Sequence, residues 1–140
     1  YLFRRTGQGL YDPFLEAHCV DGQFTLAGQR VNVWPQEHVV TTSFGLRVGN
    51  FAYSTDVWQL DEAGFAALDG ITHWIVAAVQ RAPHPTHAHL DRVLSWIERV
   101  APQRAVLTHM NQTMDYRRLA AELPAGVEPG YDGMRLEVPE

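Results

Sequence analysis

From Thr72 onward the apolar residues repeatedly change their period, and that succession admits few architectures. Residues 72–79 form a short apolar run of the length of a buried strand. Leu90, Val93, Leu94, Ile97 and Val100 then recur at the spacing of one helix face, and the pattern ends before Pro102. Residues 105–107 predict a brief strand, residues 116–123 a helix stopped by Pro124, and residues 134–138 a final strand. Upstream, residues 23–35 read as two strands around Ala27-Gly28. Residues 42–48 and 51–54 pair around Gly49-Asn50, a dipeptide suited to a tight hairpin. Asp61 predicts the N-cap of a short helix through Leu68, closed by Asp69-Gly70. Strands and helices interleave without the strict βαβ repeat of a doubly wound fold. The expectation is an α/β chain whose mixed sheet, with hairpins, packs against helices.

A chain of 140 residues that is 46% hydrophobic can bury such a core. Its longest apolar stretch, residues 74–79, is far short of the ~20 residues that a bilayer-spanning helix needs. Sixteen acids against eleven bases give a formal charge of −5, so there is no basic footprint for a polyanion. Nucleic acid is not the expected partner, whereas a small phosphate ester remains open. Every base is arginine, which removes lysine nucleophiles and Schiff bases from consideration. Cys19 stands alone and cannot form an intramolecular disulfide, so the expected location is the cytoplasm. The chain opens Tyr-Leu-Phe-Arg-Arg, with neither an initiator methionine nor a signal-peptide pattern, and reads as beginning inside a longer protein.

Three positions stand where a strand is expected to have just ended. His38 follows the strand ending at Trp34-Pro35, Asp56 follows residues 51–54, and His109 follows residues 105–107. Such loops are where a rigid scaffold presents ligands. Imidazole and carboxylate suit divalent zinc, manganese or iron, and a carboxylate can bridge two ions, which makes Asp56 the natural bridging candidate. Taken singly, each has an ordinary explanation: Asp56 caps a turn, His38 lies on the surface, His109 is a hydrogen-bonded core residue. Only the three together point to a metal site.

The set comes with a recognisable order. Pro35-Gln36-Glu37-His38, Tyr53-Ser54-Thr55-Asp56, Thr86-His87 and Leu107-Thr108-His109 follow one another, with 22 positions from His87 to His109. Leu123-Pro124-Ala125-Gly126-Val127 and Tyr131-Asp132-Gly133-Met134 come near the end. In this order the chain resembles the phosphoribosyl cyclic phosphodiesterase branch of the metallo-β-lactamase-fold hydrolases over residues 30–137. A second string, Thr86-His87-Ala88-His89-Leu90-Asp91-Arg92, imitates the Thr-His-x-His-x-Asp-His segment that binds both metals in that superfamily. It fails at Arg92, which cannot ligate as histidine does. It also stands after His38 and Asp56, whereas in the superfamily that segment precedes every other ligand.

The resemblance implies an αββα sandwich, of which residues 1–140 would be the C-terminal part of a single domain. It implies two divalent ions and hydrolysis of a small (cyclic) phosphodiester by an activated hydroxide. His38 would ligate one ion, Asp56 would bridge both, His109 would ligate the second, and His87 would be a non-ligand catalytic histidine. His84 and His89 read as bystanders. The His-x-His-x-Asp-His segment itself is missing from these residues, so the chain alone is expected to be inactive and to associate with an N-terminal half or with a second copy. Glu37 and Val39 replace the asparagine or aspartate and the glycine that often flank the ligand in relatives, and a cysteine-based structural zinc site cannot form. Two other readings remain. One is a non-catalytic α/β binding module or single-metal fragment, in which the three side chains need not converge and separations above about 8 Å are allowed, beyond the reach of ligands on neighbouring ions. The other is ribonuclease Z-like RNA processing, which the acidic balance disfavours.

Overall fold

Tight turns build the first half of the sheet. In a computed structural model that describes Phe3, residues 12–20 and residues 22–138, β1 (Gln23–Leu26), β2 (Gln29–His38), β3 (Thr41–Val48) and β4 (Phe51–Ser54) form an antiparallel meander. Ala27 and Gly28 both take positive φ, the type I′ pattern, whereas only Gly49 does so between β3 and β4, the type II′ pattern. The Gly49-Asn50 hairpin is therefore as the sequence predicts. Between β2 and β3 the Val40 N–H donates to the His38 carbonyl at 2.7 Å around Val39 at φ +54°, a strained γ-turn for a β-branched residue.

The sequence ends the second strand at Pro35, but β2 runs on to His38. Proline is tolerated there because it faces the outer edge. The Val33 N–H donates to the Gly22 carbonyl on the side away from β3, and the nitrogen of Pro35, two residues on, lies on that same side. His38 is thus the last residue of a strand rather than part of the loop after it.

From β4 onward the chain alternates strictly: α1 (Glu62–Ala67), β5 (His73–Ala77), α2 (Leu90–Val100), β6 (Arg104–Thr108), α3 (Tyr116–Glu122) and β7 (Val127–Pro129). Strands β4 to β7 are parallel and adjacent in sequence order. The βαβ repeat that the sequence reading left out is therefore present over this half. Because each crossover steps one strand in the same direction, right-handed connections place all three helices on one face. On that face Ala52, Trp74 and Ala105 stand in register, as do Ser54, Val76 and Leu107. They pack with Leu68, Val93, Ile97 and Leu119 as the core.

Local chemistry fixes the helices. The Asp61 carboxylate accepts from the Gly64 N–H at 2.7 Å, and the Arg47 guanidinium donates to the carbonyls of Ala67 and Asp69 where α1 ends. Helix α2 buries Leu90, Val93, Trp96 and Ile97 and closes on Ala101 in the left-handed region, just before Pro102. The expected strand over residues 134–138 does not form, and the last strand is Val127–Pro129. Met134, Leu136 and Val138 do alternate with exposed neighbours, but they line a cavity with Phe51, Ile75 and Val106 on the sheet face away from the helices, without a ladder partner. An extended tail laid on a sheet shows the same period of two as a paired strand. The α/β class, a mixed sheet with hairpins against helices, is as expected.

Candidate functional site

Strand direction gathers the candidates at one edge. β2 is antiparallel to β3, and β3 to β4, so β2 runs in the same sense as β4, β5 and β6. The carboxyl ends of all four strands therefore share one edge, the usual place for ligands in α/β sheets. His38 ends β2, Asp56 lies two residues beyond β4, His109 directly follows β6, and the loop after β5 carries His84 and His87. Asp56 at φ +49° and His109 at φ +59° both take the left-handed conformation, which turns each side chain out of its strand's alternation. Strained backbone of this kind collects at functional sites.

The side chains converge. His87 Nε2 lies 3.2 Å from Asp56 Oδ1, and His109 Nε2 lies 3.5 Å from the same oxygen. One nitrogen each from His38 and His87 and one Asp56 oxygen all fall within 4.8 Å of one another. The rings of His87 and His109 stack at 5.0 Å and 15°, while His38 and His84 meet His87 edge-on at 4.6 and 5.1 Å. Against the separations above 8 Å that the binding-module reading allows, Asp56 lies within 4.8 Å of His38 and 3.5 Å from His109. The most compact triad nevertheless contains His87, where the sequence reading has His109. His84, read as a bystander, sits at the rim of the cluster. His89 is the N-cap residue of α2 and Asp91 an exposed residue of its first turn, so of the imitative string only Thr86 and His87 enter the site.

Thr86 organises the imidazoles. Its carbonyl accepts from His38 Nδ1 at 2.9 Å, which puts the His38 proton on Nδ1 and leaves the Nε2 lone pair free. Its hydroxyl lies 2.8 Å from His87 Nδ1, and its N–H donates to His84 Nδ1 at 3.3 Å. Burial holds the His87 pKa below its ordinary value of 6.5. The hydrogen bond to Asp56 works against this, and the neighbouring His38, His109 and His84 add to the lowering. At neutral pH His87 is therefore an uncharged donor to Asp56 rather than half of an ion pair. Its side chain is 17% exposed against 42% for Asp56 and 41% for His109, so a small ligand reaches the last two first.

Nitrogen atoms 3.2 and 3.5 Å from a carboxylate oxygen lie at the roughly 3 to 4 Å spacing of two ligands on one ion with bonds of about 2.1 Å. The donor set fits a divalent cation of the zinc, manganese or iron type. Thr86, Gln36, Ser43 and His84 are the residues at the site to which sequence reasoning gave no role. Their roles arise from contacts across strands, for which a linear pattern has no signal.

A family profile described as the beta-lactamase superfamily domain matches residues 6–110. The chain belongs to that family. Within the superfamily, the crystal structure of a new diphosphatase from the PhnP family superposes with a TM-score of 0.84 at 30% identity, over 87% of this chain and 49% of that one. The metallo-β-lactamase-fold protein YhfI from Bacillus subtilis (TM-score 0.70, 13% identity, 94% of this chain, 58% of that one) and the short form of human tRNase Z (0.65, 18%, 85% and 47%) share the fold. The chain spans about half the length of the solved structures it matches. No curated protein sequence matches it. The metallo-β-lactamase fold carries with it the expectation of divalent metal, and the donor set described above fits that expectation.

Proposed function

We propose that this chain contributes ligands and a catalytic histidine to a metal-dependent hydrolase of small phosphate esters, with a cyclic phosphodiester or a diphosphate as the substrate type. The observation that carries the reading is the convergence of His38, His87 and His109 on one Asp56 carboxylate where the parallel strands end. The 30%-identical neighbour is itself a diphosphatase, which supports phosphorus-centred hydrolysis.

His38, Asp56 and His109 would hold the divalent ions in part. Such ions supply Lewis acidity and lower the pKa of bound water from about 15.7 towards 7. The chain's own residues orient and donate. Thr86 fixes the tautomer of His38, so that Nε2 is the nitrogen left to ligate. Asp56 offers both carboxylate oxygens at the exposed rim. His87, steadied by the Thr86 hydroxyl, would turn its Nε2–H from Asp56 Oδ1 to a phosphoryl or leaving-group oxygen and offset the charge developing there. A charge of −5 offers no track for RNA, so a small substrate is favoured over ribonuclease Z-like processing.

One observation favours a second reading: the tightest group, His38, Asp56 and His87, has the donors for a single ion. Metal stoichiometry separates the two, with two ions per chain for the first reading and one for the second. The activity test is hydrolysis of bis(p-nitrophenyl) phosphate by the complete protein with zinc or manganese, which Asp56→Ala should abolish. Activity retained in that variant would refute the proposal.

A further inference from the structure

Gln36 is 3% exposed, an unusual burial for a polar side chain whose place an apolar one could fill. Its Nε2 donates to the carbonyl of Thr55 at 3.2 Å and to Ser43 Oγ at 3.3 Å, while Oε1 is buried without a partner. The Ser43 hydroxyl in turn donates to the carbonyl of Asp56 at 2.8 Å. Gln36 and Ser43 face one another across the β2–β3 ladder, two residues before His38 and two after Thr41, its own partner. Both carbonyls they hold belong to the segment that has just left β4, where no ladder bond remains to fix it and where Asp56 turns to φ +49°.

We infer that Gln36 and Ser43 are positioning residues for metal binding: by clamping the carbonyls of Thr55 and Asp56 they hold the Asp56 carboxylate in place among the histidines. The inference rests on the proposed metal role of Asp56. The β2–β3 hairpin then supplies one ligand, His38, and sets the orientation of another just beyond the neighbouring strand β4. Residues that orient a ligand from behind in this way typically change metal affinity by about 10- to 100-fold when lost.

The test measures zinc affinity of the complete protein by competition with a chromophoric chelator, together with the thermal midpoint of the metal-free protein. Ser43→Ala and Gln36→Met should each weaken zinc binding by about ten-fold, and Ser43→Thr, which keeps the hydroxyl, should stay within about two-fold of the parent. Should Ser43→Ala fail to fold, Gln36→Met carries the same test. Unchanged zinc affinity in Ser43→Ala and Gln36→Met, with or without a lower metal-free midpoint, overturns the inference provided that Asp56→Ala has lost zinc. Parental affinity in Asp56→Ala overturns instead the reading on which it rests.

Discussion

Replacing Gly45 by alanine sets two effects of opposite sign against each other, and the structure decides between them. Gly45 stands opposite Trp34 in the β2–β3 ladder, and its φ is not in the left-handed region. With a compatible backbone, alanine alone would stabilise the fold by ~0.4–1 kcal/mol through the unfolded chain. Space reverses the sign. A Cβ at this position would lie 2.2 Å from Cζ2, 2.3 Å from Cε2 and 2.7 Å from Cη2 of Trp34. Carbon atoms in contact prefer about 3.5 Å or more, so the ring must retreat by more than about 1 Å. Trp34 is 7% exposed and sits in the main core, on a strand anchored by the β3 ladder, so its ring moves only by disturbing that packing. Overpacking of this kind costs ~1–3 kcal/mol, which lowers the melting midpoint by a few degrees to about ten.

Thermal and urea denaturation of the complete protein, followed by circular dichroism, would measure it. Combining Gly45→Ala with Trp34→Phe, which removes part of the offending ring, should recover part of the loss, a coupling of ~1 kcal/mol or more in a double-mutant cycle. Trp34, Gln36 and His38 alternate onto one face of β2, so Gly45→Ala should also weaken metal binding. A midpoint equal to or above the parent's would refute the packing argument.

His87→Ala should lower kcat by roughly 10²- to 10⁴-fold while metal content is retained, and loss of metal in this variant would make His87 a ligand instead. Arg99 holds the Glu62 carboxyl below its ordinary value of 4.5, so this pair stabilises the fold above that pH and loses its effect as pH falls through the lowered folded-state value. Melting curves of Glu62→Gln should accordingly lie below the parent's at neutral pH and merge with them in acid, and a gap that does not change with pH would contradict this.

The local devices were legible in the sequence. Gly49-Asn50 set a hairpin, Asp61 capped α1, and the 3.6-residue recurrence from Leu90 to Val100 bounded α2, because each is decided by neighbours within a few positions. What the sequence hid depends on the other side of the sheet. Pro35 looks like a strand end unless one knows that its nitrogen faces an outer edge, and Met134, Leu136 and Val138 look like a strand unless one knows that they line a cavity over the sheet without pairing to it. At the site, residue types and chain order brought out His38, Asp56, His87 and His109, since donors carry their chemistry in their side chains. The work of Thr86, Ser43 and Gln36 was invisible, because a carbonyl or a hydroxyl acquires it only from what lies across a strand.

The central claim is that His38, Asp56 and His109 ligate metal while His87 does not. Crystals of the complete protein grown with manganese, with anomalous scattering recorded, test it directly. The account predicts peaks at ligand distance, about 2.0–2.2 Å, from Asp56, His38 and His109, with His87 Nε2 unligated. A peak bonded to His87 in place of His109, or no peak at Asp56, would contradict it.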